Sequence, residues 1–124
     1  MTVGVFAASK AYARLAANTI YPTAVIARNG RHITVTGPVT GTAGELGFQR
    51  VTVSPRSTGA VAEGYTVIKL SGSSQQWEVQ ATTLGETRFD VGPTTAVAIC
   101  QTRNWREATD AHQWLVNVDL VADR

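Results

Sequence analysis

The run His112–Val121, HQWLVNVDLV, constrains the fold of this chain more than any other stretch. Trp114, Val116, Val118 and Leu120 alternate with Leu115, Asn117, Asp119 and Val121, so an extended strand here has one wholly apolar face and one mixed face. A second apolar-rich run, Thr94–Thr102, precedes it, and the connector between them carries Asn104, Arg106, Glu107, Thr109 and Asp110. Two long strands folded into an antiparallel pair are the expectation. No stretch of the chain carries the signature of a reaction.

The same pattern recurs upstream in shorter pieces. Ala24–Arg28 and Arg31–Thr36 flank Asn29-Gly30, a strong hairpin signal because both central positions of a type I′ turn need positive φ. Gly37-Pro38 is expected to break the second of these strands, and Gly41, Gly44 and Gly47 to form a loop. These glycines do not make a phosphate loop, because no Lys-Ser/Thr follows Gly47 and nothing helical comes after to supply an N-terminal dipole. Phe48–Pro55 then sets Val51 and Val53 inward, with Arg50 and Thr52 outward. Ala60–Leu70 is a strand carrying Val61, Tyr65, Val67 and Ile68, and Ser71–Ser74 turns the chain. Gln75–Thr82 alternates Trp77, Val79 and Ala81 against Gln76, Glu78 and Gln80. Arg88–Val91 reads as a short strand or edge segment stopped by Gly92-Pro93.

Six or seven strands, at roughly 10–14-residue spacing, predict an all-β fold: an antiparallel two-sheet sandwich of immunoglobulin or fibronectin III type over residues 23–124. Trp77 and Trp114 are expected to face each other across its core, or nearly so. Trp105 lies in the polar connector and either folds back over the sandwich end or contacts a partner.

Residues 1–22 lack strand alternation and read as a short N-terminal arm or helix. Ser9 is a plausible N-cap and Lys10–Ala17 is rich in helix formers, with Tyr12, Leu15 and Ala16 sharing a face. A helix of about two turns is marginal alone, so it needs the chain's own domain or a neighbour to pack on. No basic residue precedes the apolar run Val3–Ala8, which argues against a signal peptide, and no stretch reaches the ~20 apolar residues of a membrane span. Residues 1–44 carry four basic and no acidic residues, whereas residues 45–124 carry seven basic and nine acidic ones. A basic arm on a mildly acidic body suits docking to an acidic surface.

Composition leaves little room for catalysis or cofactors. With two histidines and one cysteine, zinc ligation has no cluster to use, and the carboxylates are too dispersed for calcium. No metal, cofactor or catalytic residue is assigned. Asp110 and His112 are spaced to share a strand face, but no Gly-x-Ser-x-Gly elbow accompanies them. Cys100 sits in the apolar run AVAIC and reads as a small buried hydrophobe. Nucleic-acid binding would rest on Lys10, Tyr12, Arg14, Tyr21, Arg28 and Arg31, too thin a basic set to favour it.

Four stretches, ITVTGPVTGTAGE (33–45), VTVSPRSTGAVAEG (51–64), SGSSQQWEV (71–79) and TDAHQWLVNVDLV (109–121), resemble uncharacterised small secreted β-sandwich proteins of high-GC Gram-positive bacteria. In that group paired cysteines stand where this chain has Gly41 with Leu70, and Val97 with Leu115. Losing every bridge fits a version that folds in a reducing cytoplasm. With the basic arm, the resemblance implies by analogy a phage decoration or accessory protein: a non-enzymatic virion component assembled in the host cytoplasm. Its expected partners are a capsid or tail protein or copies of itself, held through Phe6, Tyr12, Arg14, Leu15 and Tyr21. The alternative is a secreted or cell-surface module whose end loops, with Trp105, take a host glycan or protein.

Overall fold

In the computed structural model, which describes residues 15–16, 18–55 and 60–123, eight strands join into one sheet that closes on itself. They are β1 (Leu15–Ala16), β2 (Thr23–Ile26), β3 (His32–Gly41), β4 (Leu46–Ser54), β5 (Ala62–Lys69), β6 (Gln75–Thr83), β7 (Gly92–Arg103) and β8 (Ala108–Ala122). Seven of them form the ring β3-β2-β8-β7-β4-β5-β6, which returns to β3, and β1 lies beside the C-terminal end of β3.

The all-β expectation agrees with this structure, but the antiparallel two-sheet immunoglobulin-like sandwich is overturned by it. A sandwich keeps its sheets apart, whereas here two strands bridge across. β2 runs antiparallel to β3 through Val25↔Thr34 and Ile26↔Ile33, and parallel to β8 from Thr23↔Asp119 to Ile26↔Ala122. β5 pairs with β4 from Lys69↔Leu46 to Ala62↔Val53 and also meets β6 at Ala62↔Thr83 and Glu63↔Thr82. The product is a single mixed barrel, closed at both junctions. Periodicity assigns the faces of a strand but carries no trace of a parallel partner nearly the whole chain away.

Gly64 makes the second junction possible. A Cβ at this position would stand against the Gln80 carbonyl oxygen, far inside van der Waals contact, with Val79 Cγ1 at 2.9 Å. Without one, β5 can lie close enough to β6 to pair.

Three local expectations also change. β3 runs unbroken through Gly37-Pro38 for 10 residues. The β3 carbonyls of Thr36 and Pro38 accept from Tyr21 and Thr19, so the face of β3 that lacks the Pro38 N–H looks toward the irregular residues 18–22 and not toward β6. No β6 ladder bond is lost, and proline is tolerated. The helix expected over Lys10–Ala17 lies mostly outside the described residues; its described part, Leu15–Ala16, is strand paired with Gly41 and Thr40, and no helix occurs among the described residues. Arg88–Val91 is not a strand: Phe89 is buried in the core, its N–H donates to the Gly30 carbonyl at 2.8 Å, and Gly92-Pro93 opens β7 instead of ending an earlier strand.

The alternation in β6 and β8 is as expected. Trp77, Val79 and Ala81 are buried from β6, and Val118 and Leu120 from β8. Trp77 is fitted with particular economy of space, because its register partner on β3 is Gly37, where a Cβ would lie 2.6 Å from the indole. The indole N–H donates to Asn18 Oδ1 and to the Pro38 carbonyl, each at 3.2 Å, and Asn18 in turn donates to Gln49 Oε1 at 3.2 Å. Residues 18–22 are thereby tied to the barrel by buried hydrogen bonds as well as by Ile20, which is 3% exposed. Trp114 packs against the core only partly buried, and the ring stacked on it is His112, at 5.6 Å between centroids.

Candidate functional site

A water-facing strand position normally carries a polar side chain, yet the outer face of β5, β4 and β7 carries a cluster of apolar ones. Cross-strand registers put Tyr65, Arg50 and Ile99 in one row and Val67, Phe48 and Gln101 in the next. Tyr65 is 79% exposed, Val67 50%, Ile99 46% and Phe48 40%. Phe48, Tyr65 and Ile99, with Arg50 and Gln101, line a shallow groove of about 270 Å³. Leu46 extends the patch at one end and Leu115 of β8 at the other side, opposite Val97. Arg50 sits among these apolar neighbours and makes no ion pair with a described residue. A contiguous exposed apolar surface with an unpaired cation in it is the mark of a contact surface.

The second feature is the margin of β8. Asp119 and Asp123 donate their N–H groups to Pro22 and Ile26, so odd-numbered residues of this strand point their backbone groups toward β2. β2 pairs with β8 only from Asp119 onward; β1 and residues 18–22 hydrogen-bond to β3, and β1 also lies against β8 without pairing to it. Ala111, Gln113, Leu115 and Asn117 therefore present backbone N–H and C=O groups that no described strand pairs. On the inward face of this strand Trp114 and Val116 are half-buried and pack against the core.

Titratable side chains gather at the inner end of this margin. His112 Nε2 lies 3.1 Å from Asp110 Oδ2, the pairing that the spacing of the two residues allows. Register places His112 directly across from Cys100, a juxtaposition with no signal in the sequence. The thiol is fully buried, and burial first, then the charge of Asp110, raises it from 9.0 to about 11. It keeps its proton at neutral pH and is a poor nucleophile there. Among the described residues no three His, Cys, Asp or Glu side chains are placed to hold a metal ion. Nearby, Thr109 donates to Glu45 Oε1 at 2.9 Å and shares a 2.7 Å hydrogen bond with Thr102, so this polar cluster is internally bonded.

The raised thiol has a measurable consequence. A thiol favoured in its neutral form by folding stabilises the protein fully below pH 9, and that contribution is lost as pH rises from 9 toward 11. Urea denaturation of the protein and of Cys100→Ala at pH 8 and pH 11 should show the larger alkaline loss in the cysteine form. A disulfide-exchange reagent at pH 8 should label Cys100 only after unfolding.

Of the anchor residues expected from the sequence, Phe6, Tyr12 and Arg14 lie outside the described residues. Leu15 faces inward and is 7% exposed, Tyr21 is 39% exposed, and Trp105 stands out at 90% with the Arg106 guanidinium 5.3 Å from its ring centre. Trp105 does not fold back over the barrel end. Asn104 holds its loop by accepting from the N–H groups of Arg106 and Glu107 at 2.8 and 2.9 Å. The sequence did hold a signal for the outer face: Phe48 shares parity with Arg50 and Thr52, and Tyr65 and Val67 share parity with Glu63, so apolar residues stand on both faces of β4 and β5.

No protein-family model and no curated protein matches the chain. One solved structure similar to it is WR4, a C. elegans MSP family member, with 14% sequence identity and a TM-score of 0.43 over 86% of this chain and 98% of that one. The resemblance to secreted immunoglobulin-like sandwiches, with the phage analogy drawn from it, is overturned along with the sandwich, because the barrel closes through β2 and β5.

Proposed function

We propose that the protein is a non-enzymatic assembly component that docks on another polypeptide through the outer face of β5, β4 and β7. The observation that supports this reading is the two rows of outward apolar side chains, Tyr65 with Ile99 and Val67 with Phe48, around Arg50, which pairs with no described acid. Burying such a patch against a partner returns about 25 cal/mol for each Å² of apolar surface removed from water. Aromatic and arginine side chains at its centre are the types that dominate docking energy. The partner would be another protein or another copy of this chain. A second reading, capture of a host glycan or protein by the end loop, is favoured by one observation: Trp105 is almost wholly exposed.

A photo-crosslinker separates the two. Benzoylphenylalanine is placed at position 65, at position 105, or at position 78 on the exposed face of β6, and each variant is irradiated in the cell that makes the protein. A discrete polypeptide adduct at 65, absent at 78, is the expected result. Adducts at 105 alone move the contact to the loop, and equal labelling at 65 and 78 overturns the docking face.

A further inference from the structure

We infer that the partner of the outer face of β5, β4 and β7 is an acidic polypeptide segment, with carboxylates about 13 Å apart on either side of an apolar side chain. This rests on the docking reading above and names the chemistry of the partner. Two observations carry it: the charge of the face, and where that charge sits among its apolar side chains.

Three exposed cations stand on this face, Arg50 on β4, Lys69 on β5 and Arg103 on β7. None of them pairs with a described acid. Among the described residues these three strands place one carboxylate against them, Glu63, in the row next to Tyr65, Arg50 and Ile99. The β8 positions that continue the rows, Ala111, Gln113 and Leu115, are uncharged. In the loop after Arg103, Arg106 and Glu107 offset each other. Residues 45–124 nevertheless carry seven basic and nine acidic residues, so the remaining acids lie elsewhere on the molecule. A positive face on a mildly negative body steers an anionic partner to one place. A second copy laid face to face would set cation against cation.

Placement narrows the partner further. Leu46 stands between Lys69 and Arg103 in one cross-strand row, and Arg50 stands between Tyr65 and Ile99 in another. The row between them, Val67, Phe48 and Gln101, is uncharged. Along β4 the two charged rows are four residues apart, about 13 Å. The face therefore presents positive, apolar and positive bands in turn, and its complement is negative, apolar and negative. Phe48 receives the apolar side chain beside the groove it lines with Tyr65 and Ile99. One carboxylate meets Arg50, and Lys69 and Arg103 share the other. A single-stranded nucleic acid fits less well, because Leu46, Val67 and Ile99 offer no ring for a base to stack on and Glu63 repels a phosphate chain.

Purified full-length protein is titrated with fluorescent poly(Glu,Tyr), poly(Lys,Tyr) and oligo(dT). Poly(Glu,Tyr) should bind at least about tenfold more tightly than either, and the triple variant Arg50→Gln, Lys69→Gln, Arg103→Gln, folded by circular dichroism, should lose that preference. Glu63→Lys adds a positive charge to the same face and should tighten poly(Glu,Tyr) about threefold. Equal binding of the three polymers, tighter binding of oligo(dT), a preference kept by the triple variant, or no gain from Glu63→Lys overturns the inference. In the cell, the triple substitution should cut the polypeptide adduct at position 65 by about tenfold. An adduct that survives it, or one with twice the mass of the chain, overturns the acidic partner and leaves the docking face standing. No adduct in the parent removes both.

Discussion

Replacing Trp77 with alanine is expected to destabilise the barrel by about 3–5 kcal/mol, a large part of the 5–15 kcal/mol that holds a domain of this size together. The side chain is 2% exposed and lies over Gly37, whose missing Cβ is the space the indole occupies. Neither β3 nor β6 can close inward over the void, because eight consecutive register pairs fix their spacing. The indole N–H also serves Asn18 and Pro38; its loss leaves the buried Asn18 amide oxygen without that donor, while the Pro38 carbonyl keeps the Thr19 N–H. Trp77→Phe isolates that second part: most of the volume is kept, and about 1–3 kcal/mol should still be lost. Guanidinium denaturation followed by far-UV circular dichroism measures both, with Trp105→Ala as the comparison. That exposed tryptophan should change stability by under about 0.5 kcal/mol. A Trp77→Ala protein with wild-type stability would mean that the indole is not packed where the structure places it.

The second large effect is expected at Gly64→Val. Valine is among the best strand formers, so propensity alone favours the change. The barrel forbids it, because the new Cβ meets the Gln80 backbone carbonyl and no rotamer can turn a backbone atom aside. The expected cost is about 3 kcal/mol or more, at the upper end of overpacking effects. It should be concentrated at the β5–β6 junction, where hydrogen exchange of Glu63, Thr82 and Leu84 amides should accelerate relative to those of the β4–β7 ladder. Gly47→Ala is the control: a Cβ there meets Cys100 Sγ at 3.4 Å and Ile68 Cβ at 3.8 Å, ordinary contact distances, and should cost less than about 1 kcal/mol. Equal losses from the two substitutions would show that the junction is not specially tight.

Strand faces were legible in the sequence and strand partners were not. The alternations around Trp77 and from Trp114 to Leu120 reappear residue for residue, because a period of two is written into the side chains themselves. Asn29-Gly30 also marks the bend between β2 and β3, with Gly30 at φ +71, although the hydrogen-bonded turn spans Ala27–Gly30. Pro38 misled because its effect depends on which neighbour its nitrogen faces, a tertiary fact. Gly64 carries no signal of its role in the sequence, because the clearance it gives Gln80 exists only once β5 meets β6. At the candidate surface, Tyr65 and Val67 were visible as apolar residues, but only closure of the barrel decides that they look outward. The meeting of Cys100 with His112 follows from hairpin register, which the irregularity at Thr102/Arg103 shifts beyond what loop length alone indicates.

The parallel pairing of β2 with β8 also sets an order of events. The ladders among β1 to β7 join segments complete by Arg103, whereas β7 waits for β8 and Thr23–Ile26 waits for Asp119–Ala122 before the ring is complete. Until then one side of β2 and the whole outer margin of β8 stand open, a non-local closure of the kind that folds slowly. The growing chain therefore passes through a stage in which an unsealed strand is offered to any neighbour, and crowding of nascent copies would select between closing the ring and joining another chain.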